Sequence, residues 1–246
     1  MPAPWGDVEQ GMNTTPRVAV ITGASQGIGA ALVAGYRQLG YGVVANSRTI
    51  APSDDPMVLT VAGDIGRPGV GAEVIRTALD HFGRVDTVVN NAGIFLSKPF
   101  ADYTDADYDA ITGVNLRGFF ELTRAAIPVM AEHGGHIVTI STSLVDQADK
   151  KVPSVLASLT KGGLNAATKS LAIEYAERGI RVNAVALGTI DTPMHDPATH
   201  PFLAALHPVG RLGTLDDVVD AVLYLEKAGF VTGEILHVDG GQSAGH

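Results

Sequence analysis

The chain has 246 residues, 46% of them hydrophobic and 17% charged, which is enough apolar material for one large α/β domain. Its net charge of −9 excludes the basic surface that nucleic acid or an anionic membrane needs, yet still allows an anionic cofactor held locally by backbone N–H groups. Without cysteine there is no disulfide, thiolate nucleophile or Cys-ligated zinc, and the composition suits a reducing cytoplasm.

Met1 to Gln10 lacks the basic and apolar regions of a signal peptide, and no apolar run is long enough to span a bilayer. Residues 1–15 are expected to form a tail, either an extension upstream of Met12 or a disordered end. Residues 16–246 then make a single domain, because no linker, repeat or low-complexity tract divides them.

In chain order, strands are predicted at Val18–Thr22, Val43–Asn46, Met57–Val61, Val85–Asn90, His136–Ile140, Arg181–Ala186 and Ile235–Val238. Most are nearly continuous apolar runs, as expected for strands buried on both faces. Helical periodicity covers Gly27–Leu39, Gly71–Phe82, Asp105–Glu132, Pro153–Arg178 and Leu215–Ala228. This alternation predicts an α/β fold, a doubly wound parallel sheet with right-handed crossovers.

The first strand runs into Thr22-Gly23-Ala24-Ser25-Gln26-Gly27-Ile28-Gly29, and a helix follows. Gly23 permits a tight turn, Gly27 lets the backbone approach a pyrophosphate, and Gly29 lets the helix pack against the strand. The helix opening supplies unpaired N–H groups and a partial positive charge.

The Thr-Gly-x-x-x-Gly-x-Gly spacing resembles the short-chain dehydrogenase/reductase family, and further segments extend the resemblance from Arg17 onward. They are Asp64-Ile65, Asn90-Asn91-Ala92-Gly93, Val114-Asn115, the cluster Ser141-Thr142-Ser143, Thr160-Lys161-Gly162, Arg181-Val182-Asn183-Ala184-Val185 and Val238-Asp239-Gly240-Gly241. The resemblance implies a Rossmann fold and hydride transfer between NAD(P)(H) and a carbonyl/alcohol pair. It also implies that Asp64 and Ile65 border the adenine and Asn91, Ala92 and Gly93 the adenosine ribose.

At the end of the second strand, a carboxylate would accept from a ribose 2′-OH and repel a 2′-phosphate. Ser47 stands there instead, and the adjacent Arg48 offers a fork of donors, so NADP(H) is expected over NAD(H).

By the same resemblance, Lys161 is the family lysine and Asn115 the asparagine that holds a proton-relaying water. Alignment from the strand end assigns the carbonyl-polarising hydroxyl to Thr142, and counting back from the helix assigns it to Ser143. The family tyrosine would stand four residues before Lys161, on the same helix face. Ala157 stands there, and no tyrosine lies between Tyr108 and Tyr175. Three readings stand open: an oxidoreductase with another donor (a water held by Lys161 and Asn115, or Ser143 or Ser154), a redox-silent NADP(H) binder serving as partner subunit, sensor or non-redox catalyst, and an engineered knockout.

After the sixth strand the family has Pro-Gly, whereas this chain has Leu187-Gly188. By resemblance, Gly188, Ile190 and Thr192 meet the cofactor, and residues of about 190–210 form a substrate lid. His195, His200 and His207 suit no single helix face, so no metal is expected. The substrate is expected to be a small molecule. The apolar helices Asp105–Glu132 and Pro153–Arg178 imply, by resemblance, the interface of a homo-oligomer, a tetramer or a dimer.

Overall fold

The computed structural model describes residues 15–245; the expected tail up to residue 14 lies outside them. Seven strands form one parallel sheet: β1 (Val18–Thr22), β2 (Gly42–Ser47), β3 (Val58–Ala62), β4 (Thr87–Asn90), β5 (Gly135–Thr142), β6 (Ile180–Leu187) and β7 (Ile235–Val238). Their order is β3-β2-β1-β4-β5-β6-β7, so the winding direction reverses between β1 and β4. In such sheets a crevice opens at the carboxyl ends of the strands beside that reversal.

Both faces of the sheet are covered. Val18, Val20, Val88, Ile137 and Val182 point into one core with α2 (Val70–Phe82) and α4 (Phe119–Met130). Ala19, Ile21, Val89, Val138 and Val185 point into the other, with α1 (Gly27–Gln38) and α7 (Leu215–Lys227). The period of two along each strand therefore carries apolar side chains both ways, which explains why the strands read as unbroken hydrophobic runs.

Element positions follow the sequence pattern closely, with differences at boundaries and one within an element. β4 begins at Thr87 rather than Val85, because Asp86 turns back to accept from the Val18 N–H (2.8 Å) and to pair with Arg84. The helix expected over Asp105–Glu132 is three pieces: α3 (Asp105–Thr112), a π segment at Gly113–Gly118, and α4. The helix expected over Pro153–Arg178 is α5 (Val155–Glu174) followed by a short 3-10 turn.

At the amino ends of the strands, away from the crevice, lies a buried polar hub. The Glu226 carboxylate on α7 accepts from Tyr36 Oη (3.0 Å), Tyr41 Oη (2.9 Å), Thr87 Oγ1 (3.1 Å) and His136 Nδ1 (3.0 Å). Burial alone would raise the Glu226 pKa, but the bonds from His136 and the two tyrosines outweigh it and hold the carboxyl below its ordinary value. Burial keeps His136 neutral, with its pKa lowered. Asn183 Nδ2 donates to His136 Nε2 (3.0 Å), which leaves the imidazole proton on Nδ1, facing Glu226.

Candidate active site

The loop between β1 and α1 has the backbone its glycines permit. Gly23 and Gly27 sit at φ +65° and +54°, where a side chain would be strained. A Cβ on Gly29 would run into the Gly23 carbonyl and lie 2.8 Å from Asn91 Nδ2, so only glycine lets α1 start this close to the strand. Gln26 caps the helix without using its side chain, so the first amides of α1 are not capped from within. Behind the loop, Thr22 Oγ1 accepts from the N–H groups of Asn91 (3.1 Å) and Ala92 (3.0 Å). Asn91 Nδ2 donates to Thr22 O (2.8 Å). The Asn91 side chain thus braces the loop, and its place beside the cleft comes from its backbone.

This loop forms one end of a cleft of about 840 Å³ that runs across the carboxyl ends of the strands. Within its lining lie Gly23, Ser25, Gln26, Gly27, Ile28, Gly29, Ser47, Arg48, Asp64, Ile65, Asn91, Ala92 and Gly93. Thr142, Ser143, Ala157, Lys161, Gly188, Ile190 and Thr192 line it as well. Of the residues expected to bind the cofactor or do chemistry, Asn115 and Ser154 are not in its wall.

Ser47 Oγ lies 3.0 Å from Ser25 Oγ, which joins the end of β2 to the glycine loop, and Arg48 beside it is exposed. Asp64 turns inward to accept from the Gly66 N–H (3.0 Å). Buried beside the same end of the cleft, Asn46 Oδ1 has no partner among the described residues. An uncapped helix opening, two positive-φ glycines, a nearby guanidinium and an unpaired buried acceptor fit a dinucleotide, whose diphosphate needs donors and whose adenosine needs both donors and acceptors.

At the other end stand the residues expected to do chemistry. Asn115 lies in the π segment, 1% exposed, with its carboxamide committed to the protein. Its Oδ1 accepts from the Ile94 N–H (2.8 Å), and its Nδ2 donates to Ile94 O (3.1 Å) and Thr160 Oγ1 (3.1 Å). These bonds tie α3 and α4 to α5 and to the segment following β4, and the wide turn at Gly113–Gly118 brings the side chain to them.

Lys161 and Ala157, one turn apart on α5, border the same cleft. Lys161 Nζ donates to Ile140 O at 2.6 Å. Burial pushes its pKa down to about 8. Of the two candidate hydroxyls, Ser143 is fully buried and occupied by Leu187 O (3.2 Å) and Gln242 Oε1 (2.9 Å). Thr142 is half-buried, and its oxygen accepts only from the Leu144 N–H (3.3 Å), so its proton remains free for a ligand. Ser154 is buried and does not line the cleft. None of the chain's six tyrosines does so either.

The segment from Thr189 to Gly213 closes the cleft on one side. A bridge of Ile190 to Gly213 ties its two ends together, and between them lies the short helix α6 (His200–Ala204). His207 anchors it: the Thr189 N–H donates to His207 Nε2 (2.9 Å), and a Cβ on Gly188 would come within 2.7 Å of that nitrogen. Gly188 is therefore needed for the close approach of His207. Met194, Phe202, Leu203 and Leu206 from this segment, with Phe95 and Val152, give the cleft an apolar wall beside Thr142 and Lys161. Sequence reasoning missed Phe95, Gln242 and His207, which belong to no motif and reach the site only through the fold. No group of His, Asp and Glu residues able to hold a metal occurs among the described residues. Nor is any described helix long and apolar enough to cross a membrane.

A 3-2-1-4-5-6-7 parallel sheet with a glycine turn at its reversal is the dinucleotide-binding class of α/β fold. The family model described as enoyl-(acyl carrier protein) reductase matches residues 23–243. A (2S)-[(R)-hydroxy(phenyl)methyl]succinyl-CoA dehydrogenase subunit, BbsD, of Thauera aromatica is 35% identical over 247 residues, covering 94% of this chain and 98% of the relative. The 3-oxoacyl-[acyl-carrier-protein] reductase FabG of Thermotoga maritima is 34% identical over 250 residues, covering 94% and 99%. Among solved structures, the 3-ketoacyl-(acyl-carrier-protein) reductase of Brucella melitensis complexed with NADH superimposes with a TM-score of 0.85 at 32% identity, covering 94% of this chain and 100% of that one. ElxO with NADP bound gives 0.86 at 28% identity, covering 94% and 100%. The chain belongs to the short-chain dehydrogenase/reductase family.

Proposed function

We propose that the protein is an NADP(H)-dependent oxidoreductase that interconverts a small carbonyl compound and its alcohol. The observation that carries this reading is the uncapped opening of α1 behind Gly23 and Gly27, with Ser47 and Arg48 beside it where a carboxylate would select against a 2′-phosphate. Amides from Gly23 to Gly29 hold the diphosphate, and Ser25, Ser47 and Arg48 hold the 2′-phosphate. Asp64 and Ile65 border the adenine, and Asn91, Ala92 and Gly93 the adenosine ribose. Gly188, Ile190 and Thr192 flank the nicotinamide half, whose ribose meets Lys161.

The cofactor, when bound, supplies the two electrons as a hydride. Thr142 donates a hydrogen bond to the substrate oxygen and so polarises the carbonyl. Ser143 fixes the turn beneath it through Leu187 and Gln242, and Asn115 locks Ile94 against α5. Residues of about 190–210 act as a lid over an apolar substrate. The exposed Phe120 on α4 and Leu159 and Ile173 on α5 supply the contact surface of a homo-oligomer, a tetramer or a dimer, in the cytoplasm. Ala157 favours a second reading, a redox-silent NADP(H) binder, because loss of a general acid typically costs about 10²–10⁴ in rate.

Calorimetric titration with NADPH and NADH tests the cofactor. NADPH is expected to bind more tightly, and Arg48→Ala to weaken it about ten- to a hundredfold by removing a charge-assisted contact worth roughly 1.5–3 kcal/mol. NADH affinity should stay unchanged. Absence of binding by either nucleotide would end the reading; binding without turnover of any carbonyl would favour the redox-silent one.

A further inference from the structure

The cleft around Lys161 holds few groups able to give up a proton. Ser143 is spent on Leu187 O and Gln242, and Ser154 stands outside the wall. Asn115 has both amide protons engaged, at Ile94 O and Thr160 Oγ1. Thr142 Oγ1, and the buried Ser141 Oγ that has no partner among the described residues, are hydroxyls with no base or acid bonded to them that would resupply a proton. His195, which also lines the cleft, has its pKa lowered by burial and by His200, which disfavours its protonated form.

Lys161 differs from all of these. One of its three ammonium protons goes to Ile140 O, and its other two have no protein acceptor among the described residues. A Cβ on Gly93 would sit 3.2 Å from Nζ, so the bare backbone there keeps that side open. On its own helix the neighbour one turn back is Ala157, a methyl in the cleft wall with no group that could accept from the ammonium.

We propose that Lys161 is itself the acid of the reaction, its ammonium handing a proton to the substrate oxygen through the space beside Ala157. The proposal rests on the oxidoreductase reading and deepens it by naming the proton source. Atoms and electrons balance with reduced nicotinamide dinucleotide as reductant: the carbonyl carbon gains a C–H bond from the hydride. The C=O π pair moves to oxygen, an O–H bond forms as an N–H bond of Lys161 breaks, and the neutral amine regains its proton from water entering the cleft. The ammonium also suits the task by acidity. Burial alone lowers it to about 8, close to the working pH of most general acids. The elements packed on it present a carbonyl from β5, Gly93 from the segment after β4, and Asn115 from the π segment, none of them charged. The ionisable residues sharing the cleft are Arg48 and Asp64 at the adenosine end, Lys151 after β5, and His195 and Asp196 before α6.

The test is single-turnover reduction by saturating NADPH of an α-diketone, a β-keto ester and an aryl ketone, from pH 6 to 10, with NADPH affinity measured separately. The rate is expected to hold below about pH 8 and then fall about tenfold per pH unit as Lys161 loses its proton. Lys161→Ala should cost about a hundredfold or more at pH 7, and added methylammonium should restore part of that rate in proportion to its protonated fraction. A lysine that only positions ribose would show no alkaline limb and no amine rescue, and either result overturns the proposal. Ala157→Tyr brings a phenol into the space and should raise the rate. If the native protein binds NADPH and reduces nothing while Ala157→Tyr turns over, Lys161 is not the acid and the oxidoreductase reading of the native chain fails with it, leaving the redox-silent one. If neither protein reduces a carbonyl, or neither binds NADPH, the oxidoreductase reading fails and this proposal with it.

Discussion

Glu226→Gln perturbs the base of the fold while leaving its shape nearly unchanged. The native carboxylate accepts on Oε1 from Tyr41 and Thr87, and on Oε2 from Tyr36, Thr87 and His136, all at 2.9–3.1 Å. A glutamine has one acceptor oxygen, and its NH₂ must face either side. On the Oε2 side it would oppose His136 Nδ1–H, which Asn183 holds in that tautomer, so the oxygen stays there and the NH₂ meets Tyr41 and Thr87. Thr87 still reaches the oxygen kept on the Oε2 side, so one hydrogen bond to an ionised acceptor, that from Tyr41, is lost, worth about 1.5–3 kcal/mol. That is a sizeable share of the 5–15 kcal/mol typical of a whole domain. At about 2–4 °C per kcal/mol for a chain of this size, the melting temperature should fall by roughly 3–12 °C. Urea unfolding followed by far-ultraviolet circular dichroism, with the slope unchanged, measures the difference directly. A loss under about 1 kcal/mol would refute the assignment of Glu226 as an ionised hub. Tyr36 is on α1, whose other end carries the glycine loop, so NADPH affinity of the folded variant separates damage to the base from damage to the site.

The same hub makes stability depend on pH in one direction. The unfolded chain takes protons at His136 below about 6.5 and at Glu226 below about 4.5, whereas the folded chain resists both, so the hub's contribution should be complete between about pH 6.5 and 10, where the raised tyrosines are still protonated in both states, and fall as pH drops through these windows. Flat stability from pH 7 to 4 would contradict it. Gly29→Ala should abolish dinucleotide binding, read by calorimetry, because its methyl meets the Gly23 carbonyl rather than a flexible side chain. His207→Phe leaves the Thr189 N–H without its acceptor and should cost about 1–3 kcal/mol in unfolding experiments, with KM rising more than kcat falls as the segment over the cleft loosens. Asn115→Ala strips both backbone groups of Ile94 of their partner and should destabilise by about 2–6 kcal/mol, at about 1–3 for each group left unpaired.

The linear pattern was enough to determine the sheet, its crossovers and the glycine turn between β1 and α1. Apolar runs of period two, separated by amphipathic stretches, admit few other arrangements, and a glycine turn between a buried strand and a helix has few other uses. It also put Ala157 one turn before Lys161, since that is a matter of spacing along one helix. What the tertiary structure alone decided is which of these groups remains free to act. Thr142 and Ser143 are adjacent, chemically alike and both in the cleft wall, yet the first, at the end of β5, keeps its proton free while the second, in the turn that follows, is bonded to Leu187 and Gln242, ninety-nine residues away in sequence for the latter. The break of the Asp105–Glu132 helix into a π segment was equally hidden, because its cause is Asn115 bonding to Ile94 and Thr160 from other parts of the chain. The acidity of Lys161 and the ionisation of Glu226 belong to the same kind: each depends on how much water is excluded and which donors arrive from distant elements, and neither quantity exists until the chain is packed.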